Sequence, residues 1–431
     1  MPLPTPLIPT SLVPEPVPAA KNRKARQTHN RPLVPIELTL TGFAAGGKAV
    51  GHAPDGRVVF VEFALPGERV IAEITDEHPS YIEATAVLVL EASEDRVTPR
   101  CGYFGRCGGC QLQHVAYPRQ LELKAGVVRE QLTRIGRFDQ AEVERLVQPM
   151  LGMDDPWAYR NHVRFTVRRD GEIGFMQRGT HRFMRIDSCP IAHERVNEVL
   201  DAAQERTMQA HQLTVRVGVH TRDEMIQPSL QWRPHQKRIK RPSSGQKFYT
   251  EALNGVLYRV SGPAFFQVNT LQAEQLVGLV VGRVLDVKPN VVVDAYAGVG
   301  TFAAQLAGFV DQVVTIEESA AAGVDAGVNL QAFDNVTRVV GKVEDTLPGM
   351  TPSPDVVVID PPRSGLYPEV IEGIVQSSAR RVIYVSCDPG TLARDLRLFV
   401  EGGFTIADVQ PVDMFPHTQH IECVTTLDRE R

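Results

Sequence analysis

From Phe265 onward the chain alternates between short apolar runs and longer segments of helical spacing. Val291-Val292-Val293-Asp294, Val313–Glu317, Arg338-Val339-Val340, Val356–Asp360 and Val382–Ser386 are rich in β-branched residues. Runs this short and this uniformly apolar predict strands buried on both faces. Alternation of strand and helix predicts a parallel sheet covered on both sides, a Rossmann-like α/β domain over residues 263–431. Phe404–Val409 and Glu422–Leu427 are two further runs that would close its edge. The N-terminal part has another rhythm. Ile36-Glu37-Leu38-Thr39-Leu40 alternates apolar and polar, Gly46-Gly47 and Asp55-Gly56 mark turns, and Arg57–Val61 and Arg69–Ile74 are strand-like. Short strands at this spacing predict an OB-like β-barrel over residues 33–97. The stretch between, residues 98–262, reads as a central α+β domain, with a helix over Tyr117–Gly136 and strands near Arg164–Val167 and Leu213–Val219. Residues 1–32, dense in proline and without an apolar period, predict a disordered tail.

A length of 431 residues and a hydrophobic fraction of 43% allow two or three well-filled domains. No run approaches the ~20 apolar residues that span a bilayer. The proline-rich start lacks the basic region of a signal peptide, so a cytoplasmic protein without a membrane is expected. The net charge of −5 says little about nucleic acid, because local strips do that binding. One strip is Lys21, Arg23, Lys24, Arg26 and Arg31. The other is Arg233, Lys237, Arg238, Lys240 and Arg241, set among Trp232, His235 and Phe248. Each also fits a merely solvated tail or loop.

The chemistry gathers at predicted strand ends, where an open α/β sheet carries its ligands. Asp294-Ala295-Tyr296-Ala297-Gly298-Val299-Gly300-Thr301 follows the first strand of the C-terminal domain, and its glycines allow a tight turn and close approach to a ligand. Glu317 ends the next strand, where a carboxylate can hold a ribose diol, although a capping acid would look the same. A full Gly-x-Gly-x-x-Gly is missing, so S-adenosylmethionine is favoured over a nicotinamide cofactor. Asp360-Pro361-Pro362-Arg363 forms a stiff loop, since its prolines neither extend a strand nor donate hydrogen bonds. Enzymes that methylate exocyclic amines use Asp-Pro-Pro as well. Val385-Ser386-Cys387-Asp388-Pro389 chooses between acceptors. Pyrimidine C5 is a poor nucleophile until a thiolate adds to C6, and a base must later remove the C5 proton. Cys387 supplies the thiol, and Glu422, in His420-Ile421-Glu422, is the candidate base. Taken singly, Cys387 also fits a packed core thiol and Glu422 a surface acid.

Six cysteines in a chain expected in the cytoplasm point away from a disulfide framework. Cys101, Cys107 and Cys110, with Cys189 further on, suit four-thiolate ligation of an iron–sulfur cluster or of zinc.

Together these residues resemble the RNA (uracil-5-)-methyltransferase family, in particular the branch with an N-terminal TRAM domain and a [4Fe–4S] cluster. The resemblance spans nearly all of residues 33–431. It is carried by the cysteine spacing, Tyr159-Arg160-Asn161, Phe265-Phe266-Gln267-Val268-Asn269, the Asp294–Thr301 loop, the Asp360 and Cys387 motifs and His420-Ile421-Glu422. It implies a class I methyltransferase domain, a TRAM barrel that helps bind RNA, and a monomer acting on structured ribosomal or transfer RNA. It implies Cys387 as nucleophile, Glu422 as base and Cys101, Cys107, Cys110 and Cys189 as cluster ligands. Gln267, Tyr296, Thr301, Glu317 and Asp360 become cofactor contacts, and Phe265 and Arg363 substrate contacts. Gly341-Lys342-Val343-Glu344-Asp345 departs from the family pattern by its lysine, which leaves the adenine contact open. The rival functions are a cytosine-5 RNA methyltransferase, an amine-directed methyltransferase, and a non-catalytic RNA-binding protein.

Overall fold

The computed structural model describes residues 34–208, 210–233 and 241–429. The N-terminal tail and Lys237, Arg238 and Lys240 of the second basic strip lie outside the described residues. The chain divides into two compact units. One holds the residues through Val127 with Ile173–Pro190 and Pro416–Gln419; the other holds Val128–Glu172, Ile191–Phe415 and the chain from His420.

The first unit is built on a six-stranded sheet. Its strands lie in the order Ile36–Thr39, Arg69–Glu77, Tyr81–Glu91, Val58–Glu62, Lys48–His52, Gly42–Ala44. Alternate residues, among them Ala49, Val59, Val61, Val70, Ile82 and Ala84, point inward to one core. Gly51 allows the sheet to curl: a Cβ there would sit 3.0 Å from the Thr39 carbonyl oxygen of another strand. At the barrel's end Glu68, fully buried, takes a two-pronged ion pair from Arg96 (2.6 and 2.7 Å). That pairing is needed, because an unpaired carboxylate there would cost several kcal/mol. The same unit carries the loop of Cys101, Cys107 and Cys110 and the hairpin of Ile173–Met176 and Phe183–Arg185.

The second unit contains a seven-stranded sheet. Counted along the chain, the strands are Val291–Ala295, Gln312–Glu317, Val336–Val340, Val356–Ile359, Arg381–Ser386, Phe404–Val412 and Glu422–Arg429. Across the sheet they run third, second, first, fourth, fifth, seventh, sixth. The first five are parallel, and Glu422–Arg429 lies antiparallel between Arg381–Ser386 and Phe404–Val412. Helices Thr270–Leu285, Thr301–Leu306, Ala320–Asn329, Pro368–Gln376 and Pro389–Glu401 connect or flank the strands. Val292, Val293 and Val356 to Ile359 are fully buried, as unbroken apolar runs in a two-sided sheet must be. Strand order reverses direction between the first and fourth strands, which opens a crevice at their carboxyl ends. Asp294, Tyr296 and Asp360 stand there.

A hairpin, Phe248–Leu253 with Val256–Ser261, precedes the sheet. Its turn is Asn254-Gly255, with φ of +48° and +82°, the left-handed pair that a two-residue hairpin demands. The expected strands and the long helix, Tyr117–Arg134, are present within a few residues of the sequence reading. No described helix is long and apolar enough to cross a membrane.

Candidate active site

Strand register brings the two principal residues together. Arg381–Ser386 and Glu422–Arg429 pair antiparallel, ending with Ser386 opposite Cys423. One further step along that register would bring Cys387 level with Glu422, whose carboxylate is near enough to raise the thiol's proton affinity. Facing residues of such a ladder have Cα atoms roughly 4.5–5.5 Å apart and side chains on one face. Asp388 then caps the helix Pro389–Glu401: its Oδ1 accepts from the amides of Gly390 (3.0 Å) and Thr391 (2.9 Å). The cap stops the strand and turns Cys387 out at the sheet edge.

The electrostatics of this edge are those of crowded acids. Burial pushes the Cys387 thiol up to about 11, and the carboxylates of Glu422, Asp360 and Asp388 push the same way, while Arg363 opposes them. Glu422, buried, is held well above the usual carboxylate range by burial first and by Asp360 second; Arg363 again opposes. Asp360 rises to about 7 through burial. Arg363 Nη2 lies 3.3 Å from Nδ1 of His420, and its carbonyl accepts from the Thr391 hydroxyl (3.3 Å). Arg363 is thus fixed beside both groups whose charged forms it favours.

The cofactor candidates collect at the neighbouring strand ends. Tyr296, directly after the first strand, is held at φ +64°. Gly298 donates its amide to Oε2 of Glu317 (2.8 Å), and Ser319 donates to Oε1 (2.6 Å). Thr301 opens a helix, capped by Gly300 in the left-handed conformation. A small cleft beside Glu317 is walled by Ala297, Gly298, Val339 and Val340. Lys342 sits past it, its ammonium 4.0 Å from Glu344. Two buried oxygens, Oε1 of Gln267 and Oδ1 of Asp294, have no hydrogen-bond partner among the described residues. Buried acceptors without a donor are costly, and an ammonium or hydroxyl of a ligand would satisfy them. These acceptors, with the Glu317 carboxylate at the neighbouring strand end, fit S-adenosylmethionine.

Phe265 and Phe266 part company, the first 69% exposed and the second 6%, packed on Tyr258. The loop that presents Phe265 is held by Arg216, a buried cation that donates to the carbonyls of Ser261, Gly262 and Ala264 (3.3, 3.1 and 2.9 Å). Gln267 is held through its backbone by Asn161, whose Nδ2 also reaches Thr270 (2.9 Å); Thr270 in turn donates to buried Glu251 (2.8 Å). None of Arg216, Thr270 or Glu251 was selected from the sequence. Arg216 had a signal, a lone charge in the otherwise apolar end of a buried strand. Thr270 and Glu251 had none.

A sequence profile of the tRNA (uracil-5-)-methyltransferase family matches residues 353–430, and one of the TRAM domain matches residues 36–87. An uncharacterized RNA methyltransferase of Gloeobacter violaceus is 35% identical over 91% of this chain and 96% of its own. Another, of Streptomyces avermitilis, is 36% identical over 91% of this chain and 98% of its own. The chain belongs to the RNA (uracil-5-)-methyltransferase family. Its fold matches that of the Pyrococcus abyssi tRNA (uracil-54, C5)-methyltransferase in complex with S-adenosyl-L-homocysteine, with a TM-score of 0.71 at 24% identity over 91% of this chain and 99% of that one. This methyltransferase therefore has a class I methyltransferase domain and an N-terminal TRAM domain.

The cysteines of the methyltransferase give a mixed result. All six are free. Burial pushes Cys110 up to about 12, and the thiols of Cys189, Cys107 and Cys101 are near enough to add to that rise. Among the described residues, however, no three His, Cys, Asp or Glu side chains are grouped to hold a metal ion. The expected metal site is not shown. A tetrahedral zinc would draw its sulfurs to within roughly 4 Å of one another, and that tight grouping is what is missing. The donor set, four thiols in one neighbourhood, is chemically that of an iron–sulfur cluster.

Proposed function

We propose that this enzyme makes 5-methyluridine in structured ribosomal or transfer RNA through a transient bond between Cys387 and C6 of the target uracil, acting as a cytoplasmic monomer. One observation carries the reading: the antiparallel register ends with Ser386 opposite Cys423, one residue short of Cys387 and Glu422, and the Glu422 carboxylate is close enough to raise the thiol's proton affinity. Amine methylation needs neither residue, and RNA binding alone has no use for the pair.

The target base must leave its stack, because sulfur and methyl donor approach opposite faces of the ring. Phe265, exposed on its clamped loop, offers a stacking surface for it. Cys387 loses its proton to solvent, and the thiolate sulfur bonds to C6 as the C5–C6 double bond opens, which places electron density on C5. Gln267, Tyr296, Thr301, Glu317 and Asp360 would hold S-adenosylmethionine, which when bound would supply the methyl group to that carbon and leave as S-adenosylhomocysteine. Glu422 then takes the C5 proton, the ring electrons return, and the C6–S bond breaks to release the thiolate. A carboxylate whose proton affinity is raised by burial is the stronger base for this step. Arg363 stabilises the charged forms of both residues.

Cys101, Cys107, Cys110 and Cys189 are proposed to hold a [4Fe–4S] cluster, whose four-ligand closure suits a structural role. All four must lose protons to ligate, and burial raises the proton affinity of three of them, Cys101, Cys107 and Cys110. Iron and acid-labile sulfide in anaerobically purified protein, absent from Cys110→Ser, would support this; a metal-free wild type would exclude it.

RNA carrying 5-fluorouridine tests the central step. Fluorine cannot leave as a proton does, so an RNA adduct on the Cys387 peptide should persist and be seen by mass spectrometry. Cys387→Ala should form none and release no tritium from C5-labelled uridine. Methylation by Cys387→Ala, or 5-methylcytidine as the product, would refute the proposal.

A further inference from the structure

The outer face of the barrel carries residues that a solvated sheet has no need of. In Lys48–His52, Val58–Glu62 and Tyr81–Glu91 the inward positions are Ala49, Val59, Val61, Ile82 and Ala84, all buried. Alternation sends Lys48, Phe60 and Tyr81 outward, and the pairing Val58 with Tyr81 and Phe60 with Glu83 keeps the two rings side by side. Their centroids are 5.8 Å apart at 73°. His78 stacks on Tyr81 at 4.2 Å and backs the platform.

These rings line a groove of ≈ 540 Å³, a size suited to a small ligand. Its far wall is Gly108 and Gln111 of the cysteine loop, with Gln419 and Arg178. Gln111 donates to the Gly108 carbonyl (3.0 Å) and accepts from the Gln419 amide (3.2 Å), so the wall is fixed. Two cations stand in it, each paired: Lys48 with Glu83 (3.0 Å) and Arg178 with Glu62 (2.6 Å). Partly exposed pairs of this kind are worth little, so a phosphate can take either cation from its carboxylate at small cost. Gln419 is three residues before Glu422 in the chain.

We infer that this groove is a second nucleotide site, which takes one unpaired RNA nucleotide outside the catalytic pocket. Its base stacks on Tyr81 and meets Phe60 edge-on, since the two rings stand at 73°, and the phosphates on either side engage Lys48 and Arg178. Duplex RNA presents backbone and groove, not ring faces, and would leave the aromatic platform unused. The inference rests on the reading of the chain as an RNA methyltransferase, and adds a residue-level account of how RNA outside the catalytic pocket is gripped.

The test is binding of a fluorescein-labelled, unstructured oligouridine, followed by anisotropy without S-adenosylmethionine. Tyr81→Ala should weaken binding by at least about fivefold, the loss of one stacked base, while Tyr81→Trp restores it. Arg178→Gln should lower the slope of log affinity against log salt by about one. Because Tyr81→Ala could disturb the barrel, wild-type protein is also photocrosslinked to the same strand carrying 4-thiouridine. Crosslinks on the peptides of Phe60, Tyr81 or Gln111 support the site. Wild-type affinity in both Tyr81→Ala and Arg178→Gln, or crosslinks only elsewhere, overturns it. Tritium release by wild type tells the two ideas apart: release with no groove effect sinks the groove alone, and groove binding without release sinks the uridine chemistry alone.

Discussion

Cys387 is poised with its proton on. Burial and three acids hold its thiol near 11, so at neutral pH the free enzyme carries little thiolate. A thiol is alkylated through its thiolate, so iodoacetamide should label the Cys387 peptide about tenfold faster per pH unit between pH 7 and 10. The neighbours predict the signs of two variants. Arg363 lowers the thiol's proton affinity, so Arg363→Ala should raise it and slow labelling at pH 8.5. Glu422 raises it wherever Glu422 is ionised, so Glu422→Gln should speed labelling there. Cys423, one residue beyond Glu422 and fully buried, is pushed higher still and should stay unlabelled in the folded chain, which makes it an internal control. Equal labelling rates in wild type, Arg363→Ala and Glu422→Gln would show that the local charges do not govern the nucleophile.

At the scale of elements, one carboxylate ties the two catalytic motifs together. Asp395, fully buried on the helix after Cys387, accepts from the Tyr384 hydroxyl (2.7 Å) on the strand before it. The same Oδ2 accepts from the Leu366 amide (2.9 Å), at the end of the loop that begins with Asp360. Asp395→Asn should lose about 1.5–3 kcal/mol in chemical denaturation, since both bonds are to a buried charge. It should also slow tritium release, because the Asp360 and Cys387 loops then lose their common anchor; stability loss with undiminished release would confine Asp395 to the fold. Nothing in the sequence pointed to Asp395, because its meaning comes from contacts 11 and 29 residues away. The strands were legible for the opposite reason: Val356–Ile359 and Arg381–Ser386 are buried on both faces, and their composition alone says so. Tyr81–Glu91 was missed, although it is the longest strand described, because mixed polar and small residues blur its alternation. The hairpin at Asn254-Gly255 was missed although its turn signal is strong; both its strands mix polar and apolar residues. The proposed pair, Cys387 and Glu422, was chosen from chemistry, yet the nearness of their strands depends on an antiparallel strand inserted into a parallel sheet, which local pattern does not reveal.

For the whole molecule, the acids of the cofactor crevice set a pH dependence of stability. Burial raises Asp294 and Asp360 to about 7, from an ordinary value near 3.8, and lifts Glu422 as well. The folded chain therefore binds more protons than the unfolded chain above pH 4, and these groups withdraw stability as pH climbs toward and through 7. Buried His114 and His162, both lowered to about 3, act the other way, adding stability as pH rises to about 6.5 and nothing beyond it. The two effects oppose each other in the acid range, but from pH 6.5 to 8 only the carboxyls remain. The ligand-free enzyme should consequently melt lower at pH 8 than at pH 6.5. Asp360→Asn, fixed in the neutral form, should flatten that difference and raise the melting temperature at pH 8 by about 1–2 °C for each kcal/mol relieved. The sulfonium of S-adenosylmethionine is a cation that favours ionised carboxyls, whereas S-adenosylhomocysteine has no such charge. The first should therefore stabilise wild type more at pH 8 than at pH 6.5, and more than it stabilises Asp360→Asn; the second should show little such dependence. Scanning fluorimetry at the two pH values decides the matter. Identical shifts from both ligands at both pH values would mean that the crevice acids do not feel the sulfonium, and that its charge is balanced elsewhere.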